Sequence, residues 1–279
     1  MLAPTSSARP SPTRLSRMDT GVDSRQDADV FARRAEPFAT TLRRRQKNSG
    51  IRRKGERTRD RLKIAALQVL EERGYLKLRV SDVCKRARVS AAAFYQYFRN
   101  KQDVTVEVLT EFLHYNFRIG NGPAVERSFF DSLREANLTW IGSVRANAGL
   151  MRCLLQLADQ VPEFKKLNQR LHYEWFAYVT ERLLKRYPRL RTDERTVLLA
   201  VYALGGMMDE LSRKVLVARE ENLEAVIEAT APSDEALAEF LSVLWYRALF
   251  AADPPDVSFA ASRSLLRLSS VDPAAVQRR

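Results

Sequence analysis

The sequence predicts an all-α protein in two parts, a compact three-helix unit followed by a longer helical bundle. Three observations carry this. Apolar residues recur at helical spacing from Thr58 to Phe250, no stretch alternates with period two, and the breaks between periodic runs fall at helix-capping or helix-ending residues.

Residues 1–55 come first and are expected to be a disordered basic extension. They are rich in Ser, Pro, Thr, Arg and Asp, with apolar residues too scattered to build a core. The opening lacks a continuous apolar targeting core, and Met18 competes with Met1 as the start. Positive charge peaks at the end of this segment, where Arg43, Arg44, Arg45, Lys47, Arg52, Arg53, Lys54, Arg57, Arg59 and Arg61 face only Glu56 and Asp60. Such a run reads either as a solvated charge cluster or as a basic arm suited to the minor groove of DNA.

The next segment, 56–104, has three short helices. Leu62, Ala65, Ala66, Val69 and Leu70 follow the i, i+3, i+4 rule, and Gly74 sits where that helix ends. Val80, Val83, Cys84 and Ala87 form the second helix. Ser90 is placed to cap a third from Ala91 to Phe98, and Asn100 to cap a long fourth that ends at Gly120-Asn-Gly-Pro123. On the third helix, Phe94, Tyr97 and Phe98 share one face while Ala92, Tyr95, Gln96 and Arg99 share the other. One face packs and the other is free. Ala91, Ala92 and Ala93 are small enough to let a helix lie deep in a major groove, and Lys101 adds charge beside the next helix start.

Beyond Pro123 the segment 105–251 reads as a bundle. Phe129, Leu133, Ala136, Trp140 and Val144 form one stripe, Leu150 to Leu157 a shorter piece, and further helices run from Pro162 to Tyr187, Asp193 to about Val217, and Ser233 to Phe250. Residues 252–279 are expected to form a loosely ordered tail.

Composition narrows the function classes. The 279 residues carry a formal net charge of +13, which favours a polyanionic partner, nucleic acid before membrane. Cys84 and Cys153 stand among apolar neighbours and read as buried thiols in a reducing cytoplasm. The longest apolar run, Val197 to Met208, is too short to span a bilayer, so no membrane is expected. Only His114 and His172 offer imidazoles, and the sequence holds no phosphate-cradling glycine loop, no nucleophile elbow and no zinc-spaced Cys/His set. Neither an enzyme nor a cofactor or metal is expected.

Residues 58–104 resemble the DNA-binding domain of TetR-family transcriptional regulators. The resemblance is carried by Gly74-Tyr75, Val89-Ser90, Phe94-Tyr95-Gln96-Tyr97-Phe98 and Lys101. It implies a helix-turn-helix head in which Ala91, Ala92, Ala93 and Tyr95 meet bases while Gln96, Tyr97 and Lys101 meet phosphates. Ser90, Arg79 and the arm residues Arg52 and Arg53 complete the expected DNA-binding set. Three departures stand out: Arg88 where the family has a turn glycine, Arg79 where a hydroxyl often opens the second helix, with Ser81 a substitute cap, and alanines where small polar residues begin the reading helix. Methyl groups touch only thymine methyls, so specificity shifts to Tyr95, Gln96 and groove shape.

Segments Ala203–Glu210 and Leu244–Phe250 are similar to the paired helices of the family's dimer interface, which places Gly205, Gly206, Leu244 and Trp245 there. A pocket for a small apolar ligand is expected among Phe129, Trp140, Met151, Leu154, His172, Trp175, Phe176, Tyr202 and Met207, residues that read equally as core. The resemblance thus implies a cytoplasmic, nucleoid-associated homodimer acting on a palindromic operator, most often as a repressor. The alternative is a basic protein that binds nucleic acid without sequence preference.

Overall fold

The computed structural model describes residues 36–48, 54–119, 128–188 and 192–267, and among these there is no strand. Twelve α-helices and one π-helical segment make up the described chain. Met1, Met18, Arg52, Arg53 and Gly120 to Pro123 lie outside the described residues.

The first helix, α1 (Phe38–Asn48), corrects the expectation of a disordered 1–55. Phe38, Thr41 and Leu42 are buried at i, i+3 and i+4, a stripe too short to register in the sequence but enough to dock one helix face. The head follows as α2 (Lys54–Lys77), α3 (Val80–Ala87) and α4 (Ala91–Tyr95). Gly74 interrupts α2 with a φ of 76°, a conformation that glycine adopts without steric cost. Leu62, Ala65, Ala66, Val69 and Leu70 of α2 are all buried.

Helix α5 (Lys101–Ile119) leads out of the head. It starts where Asn100 Oδ1 accepts from the Asp103 amide at 2.9 Å. The body consists of α6 (Phe129–Ala146), α7 (Ala148–Gln160), α8 (Pro162–Arg186), α9 (Glu194–Ser212), α10 (Glu221–Thr230) and α11 (Asp234–Phe250). Its boundaries have local causes. Ser128, Asp193 and Ser233 cap α6, α9 and α11 through side-chain oxygens, and Pro162 occupies the first turn of α8. Helix α11 packs along α6, where buried Asn137 donates to Ser242 Oγ at 2.8 Å.

Two body features were not expected. Helix α9 stops at Ser212 and passes into a π-helical segment, Arg213–Ala218, rather than running to Val217. Exposed α10, which has no buried residue, then follows. The tail also departs from expectation. Residues Ala260–Leu266 form α12, held at both ends by α11. Buried Glu239 accepts from the amides of Ser258 (2.9 Å) and Phe259 (2.8 Å), while Arg247 donates to the carbonyls of Leu265 (2.7 Å) and Leu266 (2.8 Å). An acid at the helix N-terminus and a base at its C-terminus match the helix dipole.

Among the described residues, no helix is long and apolar enough to cross a membrane and no group of three or more His, Cys, Asp or Glu side chains is placed to hold a metal. Cys84 and Cys153 are both free and buried, and burial pushes the Cys153 thiol up to about 11.

Candidate nucleic-acid interface

The head presents α4 as a two-sided element. Ser90 Oγ accepts from the Ala93 amide at 3.1 Å and so opens the helix at Ala91. Phe94 and Phe98 are buried and pack on one another with ring centroids 5.7 Å apart, and the Arg59 guanidinium lies 5.0 Å over the Phe98 ring. The opposite flank stays open. Ala91, Ala92 and Gln96 are exposed, Ala93 is half-buried, and Tyr95 keeps 58% of its surface exposed although it is a large aromatic. The helix itself ends at Tyr95 rather than Phe98, since Gln96 and Tyr97 form a turn whose amides still bond back to Phe94.

Around this flank the structure locates the other expected residues unevenly. Tyr97 is half-buried, and its hydroxyl lies beside Gly55 at the start of α2. Arg79 is exposed at the N-terminus of α3, which has no side-chain cap, so Ser81 does not take that role. Lys101 departs from expectation. Its ammonium turns inward, 3.4 Å from the carbonyls of Tyr75 and Leu78 and 5.0 Å over the Tyr75 ring, and so holds the corner between α2 and α3.

The family's turn glycine has a physical meaning here. Arg88 adopts φ 54° and ψ 50°, the left-handed conformation that disfavours side chains with a Cβ, and it closes α3 with its amide on Cys84 and Lys85. Arg61 supports this turn by donating to the carbonyls of Ala87 (2.9 Å) and Arg88 (3.2 Å). Part of the basic run is therefore committed to the fold. Arg59 pairs with Glu107, and Arg44 with Glu36.

The family model for bacterial regulatory proteins of the tetR family matches residues 64–108, which contain all of α3 and α4. Residues 64–108 are thus similar to the head of tetR-family regulators. The transcriptional regulator AcuR of Cereibacter sphaeroides is 34% identical over 67 residues, 24% of this chain and 28% of that protein. The fatty acid metabolism regulator protein of Bacillus subtilis is 38% identical over 47 residues, 17% of this chain and 24% of that one. The matched segments thus span about a quarter of these curated relatives. Among solved structures, Salmonella enterica GusR aligns with a TM-score of 0.53 at 17% identity, over 69% of this chain and 95% of that one. The fatty acid degradation regulator FadR of Bacillus halodurans aligns at 0.50 and 21%, over 67% and 94%. These alignments show a shared fold over about two thirds of this chain.

Outside the head, the expected body sites are only partly assembled. Gly205 is buried, and a Cβ there would lie 2.3 Å from the Phe176 ring, so this glycine serves a close approach of α8 and α9 inside the subunit. Trp245 is likewise buried in the subunit. Neither is available to a partner, whereas Gly206 is exposed with nothing near it and Leu244 is half-buried.

The expected pocket residues separate into groups. Phe176 packs on Tyr202 (4.5 Å) and His172 (6.1 Å), Trp175 stacks on Tyr178, and Phe129 joins Tyr187 and Phe250 elsewhere. Met151 and Leu154 are buried in the main core, and Trp140 and Met207 are packed against it. Burial lowers the His172 imidazole pKa below its ordinary value.

Proposed function

We propose that the chain is a sequence-specific DNA-binding transcriptional regulator that acts as a homodimer on a palindromic operator, in the sense of a repressor. The observation that supports this most directly is the exposed flank of α4. Ala91, Ala92, Tyr95 and Gln96 face outward while Phe94 and Phe98 hold the helix from behind. A flank that is narrow, uncharged and led by methyl groups fits a major groove, and the net charge of +13 supplies attraction to phosphates. Dimerisation follows from affinity. One short reading helix binds weakly, and two of them about 34 Å apart bind successive grooves. The exposed face of α9 around Leu199, Ala203 and Gly206 is the surface we assign to the partner.

The ligand is assigned to the body as a small apolar molecule, supported by the aromatic group of His172, Phe176 and Tyr202 between α8 and α9. Such a ligand acts by differential affinity for two body conformations. A second reading, binding without sequence preference, is favoured by the alanines themselves, which cannot hydrogen-bond a base edge.

Selection of fragments bound from sheared genomic DNA, with excess random-sequence competitor, tests both readings. The regulator reading predicts enrichment of one palindrome and a loss of affinity on the order of tenfold for Tyr95→Ala. Enrichment of no sequence, with binding that disappears under competitor and falls steeply with salt, supports the second reading instead.

A further inference from the structure

Helix α1 lies upstream of the segment that the family model matches, yet its first residue is fully buried. The Phe38 ring meets Phe112 (5.4 Å) and Tyr115 (5.0 Å) near the end of α5, the helix that leaves the head. Its backbone N–H donates to Asn147 Oδ1 at 2.8 Å in a buried bond. Asn147 is the corner between α6 and α7 and is itself held by donating from Nδ2 to the Ser143 carbonyl at 2.9 Å.

The same corner is gripped from the head. Glu71 of α2 accepts from the amides of Gly149 (2.8 Å) and Leu150 (2.9 Å) in the first turn of α7. Between the two grips lies a cleft of about 110 Å³ bordered by Pro37, Ala39, Leu67, Glu71 and Ala146. It is too small for a typical ligand.

We propose that α1 is a brace that sets the angle between the reading head and the body, with Phe38 as its positioning residue. This rests on the reading of the chain as a two-headed DNA binder. The head meets the body through α5 and along the packing of α2 on α7, where Glu71 caps the α7 first turn and Cys153 Sγ donates to the Leu70 carbonyl. A joint held by these contacts on one side can tilt about them. An aromatic ring packed into the joint removes that freedom, since close-packed interiors resist continuous deformation. Phe38 therefore governs the distance between the two heads and leaves base preference within each half-site to α4.

Hydrogen exchange in the full chain tests the brace without DNA, and selection from a random-sequence DNA pool tests its consequence. Phe38→Ala is expected to speed exchange at Gly149 and Leu150 about tenfold while amides 238–243 of α11 stay within about twofold. It is also expected to enrich the same half-sites as the parent at a broadened spacing. Unchanged exchange at Gly149 and Leu150 overturns the proposal, as does an equal rise at 238–243 or a spacing preference identical to the parent. If Phe38→Ala lacks the parent's helical circular dichroism, Phe38→Leu is read against the same criteria. A parent chain that enriches no palindrome refutes the reading as a sequence-specific dimer, and the exchange result then decides the brace by itself.

Discussion

The carboxylate of Glu71, on the helix that opens the head, caps the first turn of α7 at Gly149, and the two backbones touch at that point. A Cβ on residue 149 would lie 2.2 Å from the Glu71 carbonyl oxygen and 2.7 Å from its Cα. Backbone cannot yield as a flexible side chain does. Gly149→Ala is therefore expected to destabilise the fold by about 2–3 kcal/mol, and Glu71→Ala by about 1–2 kcal/mol through two uncapped amides. Urea midpoints for the two variants check this, with Gly149→Ala the more damaging.

Arg88 is the clearest local strain in the head. Its φ of 54° is tolerated because the α3 terminus needs a left-handed residue, and only glycine takes that conformation freely. Arg88→Gly is expected to stabilise the head by about 1 kcal/mol. The Arg61 bonds go to main-chain carbonyls at this turn and survive the change. A lower thermal midpoint in the variant would count against this account.

Asp209, on α9 just before the π-helical segment, gives a signed pH dependence. Burial pushes its carboxyl up to about 6 from an ordinary 3.8. Between pH 4 and 6 the native chain keeps a proton that the unfolded chain releases, so stability falls as pH rises through that window. Asp209→Asn is expected to be more stable than the parent by about 1–3 kcal/mol at pH 7.5 and equal to it below pH 4. Denaturation curves at the two pH values check the crossover.

Glu239 has the opposite sign. Burial alone would raise its carboxyl, but the amides of Phe259 and Ser258, with Ser262 and Arg134, outweigh burial and hold it below the ordinary 4.5. Its contribution is present above that ordinary value and is lost as pH falls through the lower native one. Glu239→Ala is expected to release α12, giving rapid proteolysis after Arg263 at neutral pH while the head resists cleavage. The parent should show the same susceptibility only in acid.

Much of the head was legible because its signals are local. Ser90 and Asn100 in the head, like Asp193 and Ser233 in the body, announce helix starts through hydrogen bonds that span three residues, and the spacing of Phe94 and Phe98 identifies the packed face of α4 without knowledge of the rest of the chain. The candidate site was harder to read. Lys101 looks outward in sequence, but the carbonyls it satisfies belong to Tyr75 and Leu78, which only the closed head brings to it. Gly205 and Trp245 carry no mark in sequence of which neighbour they will meet.

The chain's periodicity and capping residues by themselves determine the helical class, the order of the head helices and the face of α4 that is left free, since each depends on contacts within one or two turns. Tertiary structure decides the rest. Helices α1 and α12 bury too few apolar residues to announce themselves and exist because Asn147 and Phe112, or Glu239 and Arg247, receive them. A short helix is marginal in water, and docking supplies the stability that its own sequence lacks.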